Sequence, residues 1–246
     1  MNSKKEWFTE WFDSPYYHIL YQNRDYSEAE FFLSNLIRYF NAQKDWKIID
    51  LACGKGRHAI FLNSLGYEVT GVDLSASSIE EANLSANKNL HFEVQDLRYL
   101  NYREEFDIAL NLFTSLGYFK SKEEDILVFR NINKILKPGG FVLIDFMNSE
   151  VVIQHLVEHE SKTVDGIHFT ISKSLENDFI IKQIHFFDNE TEYHFTEKVQ
   201  ALTIEDFEEM LDAEGFTIRK LFGNYALEDY KRVSSERLII VAQKNV

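Results

Sequence analysis

The chain has 246 residues, 45% of them hydrophobic and 15% aromatic, enough apolar side chain for one large domain or one domain with an elaboration. Its 26 Lys and Arg against 40 Asp and Glu leave a net charge of −14, and the basic residues are scattered. That argues against nucleic acid, whose binding rests on neutralised phosphates. The single cysteine, Cys53, excludes an internal disulfide framework, and its place beside a glycine loop reads as a small buried filler rather than a nucleophile. No run is long and apolar enough to span a membrane and the N-terminus is polar, so a cytoplasmic protein without a membrane partner is expected.

Residues 1–45 read as helices. Ser14-Pro15 opens a stretch containing Tyr16, Tyr17, Tyr21, Arg24 and Tyr26. Ser27-Glu28 then starts a helix on which Phe31, Leu33, Leu36, Ile37 and Phe40 recur at helical spacing. Tyrosines packed on a core account for the first stretch as well as tyrosines facing a ligand do.

Residues 46–150 carry the informative motif. Ile48-Ile49 is followed by Asp50-Leu-Ala-Cys-Gly-Lys-Gly-Arg-His58 and then the helix-like Ala59-Ile-Phe-Leu62. A strand, a glycine turn and a helix start form a nucleotide-binding βα unit. Gly54 and Gly56 allow a tight turn and close approach of a ligand, and the first helical amides face it. Gly54-x-Gly56-x-x-Ala59, with Asp73 further on, also fits the loose dinucleotide fingerprint of an oxidoreductase. Asp50 separates the two readings. An anionic pyrophosphate disfavours an acid at the strand end, whereas a cationic ligand such as S-adenosylmethionine suits one.

Three more strands end on polar residues. Glu68–Asp73 leads into Leu74-Ser75, where Asp73 can accept from both hydroxyls of a ribose or cap the next helix. If the ribose is its main partner, Asp73→Ala is expected to cost cofactor affinity and little stability. His91–Val94 leads to Asp96-Leu97, placed for an adenine amino group and ring nitrogen, though an Asp in a surface turn is common. Phe106–Phe113 contains Asn111-Leu112 near its end, and Lys137-Pro-Gly-Gly140 is a turn before a fifth strand, Phe141–Phe146.

Residues 151–202 change pattern. Val151–Val157 reads as a short helix, and His168–Leu175, Phe179–Phe187 and Glu192–Val199 alternate as three strands of an inserted antiparallel sheet. His155 and His159 have the spacing of one helical face, and His168, His185 and His194 fall in the inserted strands. Spacing alone does not bring three or four ligands together, so no metal site is expected. Residues 203–246 return to the core, with a helix Ile204–Glu214 and two closing strands, Phe216–Phe222 and Leu238–Val241, paired as an antiparallel hairpin.

Taken in order, these motifs resemble the class I S-adenosylmethionine-dependent methyltransferases over residues 46–147. The opening tyrosines, Phe113-Thr-Ser-Leu-Gly-Tyr118 and the inserted sheet are most similar to the amino-sugar N-methyltransferases. The resemblance implies an α/β fold: a Rossmann-like seven-stranded sheet with helices on both faces, an N-terminal helical lid and an antiparallel sheet inserted after the fifth strand. It implies S-adenosylmethionine as cofactor, held by Tyr17, Tyr21, Arg24, Asp50, Ala52, Gly54, Gly56, Asp73, Leu74, Asp96, Leu97, Asn111 and Leu112. Tyr17 and Tyr118 would be catalytic, with Phe113 lining the transfer site. Ala52 stands where the family has glycine, His18 where its opening motif has Asp, and Tyr118 where the amino-sugar enzymes have His. The implied reaction is in-line N- or O-methylation of a small-molecule acceptor, and the inserted sheet could support a homodimer. A non-catalytic S-adenosylmethionine-binding protein is the alternative, with the oxidoreductase behind it.

Overall fold

Ile48, Ile49 and Leu51 of β1 (Lys47–Leu51) are wholly buried because the strand is covered on both faces, as parallel strands in layered α/β folds are. The computed structural model describes residues 7–21 and 26–246, and Arg24 lies outside them. Beside β1 run β2 (Glu68–Asp73) and β4 (Phe106–Asn111), both parallel to it; β3 (Leu90–Val94) lies outside β2 and β5 (Leu136–Met147) outside β4. β10 (Phe216–Phe222) and β11 (Arg237–Lys244) complete a seven-stranded sheet of order β10-β11-β5-β4-β1-β2-β3; they pair with each other as the antiparallel hairpin the sequence suggested, and β11 alone runs against the other strands. The order reverses between β1 and β4. In such sheets ligands bind beyond the carboxyl ends of the strands at that reversal.

One face of the sheet is packed by α3 (Tyr26–Phe40), α4 (Arg57–Ser64) and α5 (Ala76–Ala82) through residues such as Phe32, Leu36, Leu62 and Ile79. The other is packed by α6 (Lys122–Ile135) and α8 (Ile204–Ala213) through Val128, Phe129, Phe207 and Met210. α6 has no counterpart among the expected elements. The Lys137-Pro-Gly-Gly140 segment is a bulge within β5 rather than a turn before it. Phe106 pairs with Leu136 and Ile108 with Phe141, so the intervening residues loop out of register.

α1 (Trp7–Phe12) and α2 (Pro15–Leu20) precede this core, and α7 (Ser149–Gln154) follows β5. A second sheet of four antiparallel strands then contains β6 (His159–Val164), β7 (Ile167–Glu176), β8 (Phe179–Asp188) and β9 (Thr191–Gln200). The sequence shows only the last three. In β6 only Val164 is buried; the rest is a polar edge strand held by backbone pairing to β7, which leaves no alternation to read. His155 caps α7 and His159 begins β6, so the two do not share a helical face. The inner face of this sheet buries Trp11 and Leu20 against Phe169, Ile171, Ile184 and Phe186. Among the described residues no helix is long and apolar enough to cross a membrane.

One ring fixes two of the glycines. Phe92 of β3 lies against both Gly56 and Gly71, where a methyl group would sit 2.5 Å and 2.6 Å from its ring atoms; at Gly71 the Cys53 sulfur is also 2.9 Å away. Gly71 has an ordinary strand conformation, so only this crowding forbids a side chain. Gly71→Ala is expected to cost about 1–3 kcal/mol as overpacking, with much of it regained in Gly71→Ala/Phe92→Leu. Urea unfolding of the two variants measures this; a single substitution at no cost would show that the ring yields freely.

Candidate active site

A cavity of about 360 Å³ opens beyond the carboxyl ends of β1 and β4. The turn after β1 forms its floor. Ala52, Gly54 and Gly56 all take positive φ, at 58°, 54° and 80°, which lets the backbone turn tightly below the opening, its Gly54 amide bonded to Asp73 and its Gly56 amide to the Cys53 carbonyl. Ala52 tolerates this conformation at a cost that glycine would avoid. Gly56 is the N-cap of α4 and offers no side-chain cap; within the first turn the Ala59 amide donates to the Asp50 carboxyl.

Asp73 ties this turn to the next. Its Oδ2 accepts from the Gly54 amide at 2.8 Å and its Oδ1 from the Ser75 amide at 2.8 Å. Burial nevertheless holds its pKa above the usual carboxylate range, the two amides pulling the other way. Ser75 caps α5 by accepting from the Ser78 amide at 3.1 Å. Asp96, after β3, accepts from the Arg98 amide at 2.9 Å and from its guanidinium at 2.6 Å, while Arg98 also binds Glu124 at 2.7 Å. Leu74, Gln95, Asp96 and Leu97 complete this side of the wall.

Behind the wall lie three of the expected residues. Asp50 is 1% exposed and Asn111 fully buried, at adjacent strand ends. Asp50 Oδ2 and Asn111 Oδ1 have no hydrogen-bond partner among the described residues. Burial, with Asp73 nearby, pushes the Asp50 carboxyl up to about 7. The Ala59 amide and the charge of Arg57 oppose that rise, and the His58 ring nitrogen Nδ1 lies 4.0 Å from Asp50 Oδ2. Buried acceptors without donors are rare and costly, and a cationic, hydrogen-bonding ligand in the adjacent cavity would fit them. Gly56, the third, sits under the turn with Phe92 below it.

Aromatic side chains from α1 and α2 close the opposite wall. Phe12 lies between Tyr17 and Tyr118, edge-on to both at centroid distances of 4.9 Å and 5.3 Å. Tyr21 packs on Tyr17 at 5.0 Å and donates to Glu197 of β9 at 2.7 Å; the Trp11 indole donates to the same carboxylate at 2.7 Å. Lys182 of β8 donates to the Tyr21 hydroxyl. His18 also lines the cavity, and burial and Lys55 lower its pKa, which favours the neutral imidazole.

The segment after β4 divides this cavity from a second one of about 460 Å³. Phe113 and Thr114 both have positive φ, 57° and 59°, an unusual pair for residues with side chains. Asp145 of β5 holds them: its Oδ2 accepts from the Phe113 amide at 2.9 Å and its carbonyl from the Thr114 amide at 2.8 Å. Arg237 of β11 donates to Asp145 Oδ1 at 2.7 Å and to the Thr114 hydroxyl at 3.0 Å. The Gln200 amide donates to the Gly117 carbonyl at 2.7 Å and fastens the far end of the segment to β9. Phe113 and Tyr118 therefore face both cavities, and the second is otherwise lined by Lys173, Ile180, Lys182 and Glu197 of the inserted sheet and by Tyr225 and Arg237.

Residues 48–140 match the family pattern described as a methyltransferase domain. The methyltransferase-family protein YqeM of Bacillus subtilis (strain 168) is 30% identical over 209 residues, covering 81% of this chain and 84% of that one. The chain belongs to the S-adenosylmethionine-dependent methyltransferases. A Streptomyces venezuelae relative, dTDP-3-amino-3,4,6-trideoxy-alpha-D-glucopyranose N,N-dimethyltransferase, is 24% identical over 63% of this chain and 74% of its own. The fold also matches the crystal structure of an S-adenosylmethionine-dependent methyltransferase from Clostridium acetobutylicum, with a TM-score of 0.79 at 21% identity over 94% of this chain and 96% of that one.

In this methyltransferase Tyr17, Tyr21, Ala52, Gly54, Asp73, Leu74, Asp96, Leu97, Leu112 and Tyr118 share the wall of the first cavity. Asp50, Gly56 and Asn111 stand directly behind it, and Arg24 lies outside the described residues. Sequence reasoning passed over Phe8, Phe12, His18, Lys55, Arg57, His58 and Gln95, which also line it. The Lys55, Arg57 and His58 side chains could have been suspected from their place in the glycine turn. Phe8 and Phe12 could not, because α1 shows no motif and reaches the site by packing on Phe119 and Tyr118 as well as against the inserted sheet.

Proposed function

We propose that the first cavity holds S-adenosylmethionine, that the second admits a small-molecule acceptor, and that a nitrogen or oxygen of the acceptor is methylated between Phe113 and Tyr118. The observation that carries this reading is the pair of cavities meeting at those two rings, one built on the glycine turn and one on the inserted sheet. The Streptomyces relative named for N,N-dimethylation of an amino sugar favours nitrogen.

When bound, the cofactor supplies a methyl group already activated on a sulfonium. Asp50 and Asn111 offer acceptors to its ammonium end, Asp73 to the ribose, and Asp96 with the Leu97 amide to the adenine. Tyr17, Tyr21, Phe12 and Tyr118 exclude water and present ring faces that favour a cation. The remaining contribution is alignment, which can be worth about 7–11 kcal/mol in well-oriented systems. The Tyr21–Glu197 pair, whose carboxylate lines the second cavity, is the group placed to take the proton an ammonium or hydroxyl acceptor must lose.

Calorimetric titration should give micromolar affinity, about −8 kcal/mol, for S-adenosylmethionine and its demethylated product. Tight NAD binding without either would overturn the assignment. A screen of amines and phenols for methyl transfer then identifies the acceptor. With it in hand, Tyr17→Phe and Tyr118→Phe are expected to lower the transfer rate more than cofactor affinity, because the rings survive and only the hydroxyls go. Equal losses in both quantities would return these tyrosines to a packing role.

A further inference from the structure

The outer face of the inserted sheet carries a cluster with no part in the site above. Along β8 and β9 the inward residues are Ile184, Phe186, Tyr193 and Phe195, which pack under the N-terminal helices: Trp11 lies 4.6 Å from Phe195, and Tyr16 lies 4.7 Å from both Phe186 and Tyr193. The alternation of a strand therefore points His185, Glu192 and His194 outward. His185 and His194 are direct cross-strand partners, and Glu192 is two residues before His194 on the same face. Their imidazole rings stack at 4.4 Å with 20° between planes, and the Phe187 ring packs edge-on to His185 at 5.2 Å.

The donor atoms converge. Glu192 Oε1 is 2.9 Å from His185 Nε2 and 3.3 Å from His194 Nε2, and one ligand atom from each residue lies within 4.8 Å of the others. A tetrahedral ion with bonds of about 2.0–2.1 Å needs donors about 3.3 Å apart, so small rotations of exposed side chains suffice to close on one. Two imidazole nitrogens and one carboxylate oxygen form a borderline donor set. It suits zinc and its neighbours in the first transition row, whereas magnesium and calcium take oxygen ligands. A carboxylate that merely accepts from two imidazoles would bind no metal, and titration separates the two.

We propose that His185, Glu192 and His194 form a three-ligand site for a zinc-class divalent cation, with a fourth position open to water. The ion bridges β8 and β9 on the side opposite Phe186, Tyr193 and Phe195. It thereby braces the two strands on which α1 and α2 rest.

The test is calorimetric titration of the untagged full-length chain with zinc chloride alone, with magnesium chloride as the control. One equivalent of zinc should bind with micromolar affinity, magnesium should not, and zinc should raise the melting temperature by a few degrees. His194→Ala and Glu192→Gln should each weaken zinc about tenfold or more, and His185→Ala/His194→Ala should abolish both the heat and the melting shift. These side chains are solvent-accessible, so unchanged melting of the metal-free variants is the check that they fold. No zinc heat short of millimolar concentration, or the same binding in the double variant, overturns the site.

Discussion

Asp73→Ala is expected to lose both cofactor affinity and stability. The sequence offers two roles for an acid at that strand end, a ribose acceptor or a cap for the next helix, and the first alone would cost affinity with little stability. The structure adds a bond to the glycine turn. The carboxylate receives the Gly54 and Ser75 amides at 2.8 Å each, so it closes the glycine turn on one side and starts α5 on the other. Bonds to a charged group are worth about 1.5–3 kcal/mol each, so removing the acceptor of two should cost up to about 3–6 kcal/mol in the ligand-free protein, less what burying the carboxylate costs. Two amides are then left without an acceptor in a half-enclosed place, and alanine supplies none. Lost ribose contacts should weaken S-adenosylmethionine by a further 1.5–3 kcal/mol, about 10–150-fold. Urea unfolding of the ligand-free variant and calorimetric titration read the two losses separately. Unchanged stability would mean that water replaces the carboxylate at both amides. Unchanged affinity would mean that Asp73 only holds the turn.

The parts of this fold that were legible in advance share one property: their side-chain pattern reports their burial. β2 runs from Glu68 to Asp73 as expected, and β7, β8 and β9 differ from the expected strands by a residue or so at their ends, because strict alternation marks an inner and an outer face. β6 went unseen because a polar edge strand carries no such pattern. The glycine turn and the acids at the ends of β2 and β3 were legible as cavity-lining residues because they fall at the carboxyl ends of strands, where a cavity opens in such a sheet. The rest of the site depends on packing between distant segments. Nothing in Phe113-Thr114 announces two successive left-handed residues; they exist because Asp145 and Arg237, from strands far along the chain, hold their amides and hydroxyl. Likewise Glu197 joins Trp11 and Tyr21 to the inserted sheet, a contact no local pattern encodes. The histidines show the same limit. Their spacing along the chain suggests nothing, and only the pairing of β8 with β9 sets His185 opposite His194.

Asp50→Asn should stabilise the ligand-free protein at alkaline pH and at the same time weaken the cofactor. The Asp50 carboxyl is buried under the glycine turn, and desolvation raises its pKa from 3.8 to about 7, with Asp73 adding to the shift. The folded protein therefore holds a proton between those values that the unfolded chain has released. Stability falls as pH rises through that window, and above it the folded state carries an ionised, buried carboxylate. The penalty is roughly 4 kcal/mol at most, the shift multiplied by 1.36 kcal/mol per unit. Asparagine keeps the shape and an acceptor without the charge, so its ligand-free melting temperature should exceed that of the parent at pH 8, with the gap narrowing to about half or less at pH 5 and closing only below about pH 4. A ligand with an ammonium group reverses the balance, because it needs the ionised form. Affinity for S-adenosylmethionine in the parent should then rise with pH up to about 7 and level off, and in Asp50→Asn it should be weaker by about tenfold or more and nearly flat over the same range. Two measurements on each protein, melting and titration at pH 5 and pH 8, decide it. A parent whose affinity is independent of pH would show that Asp50 does not meet the cation, and an asparagine variant that melts lower at pH 8 would show that the buried charge is already compensated within the fold.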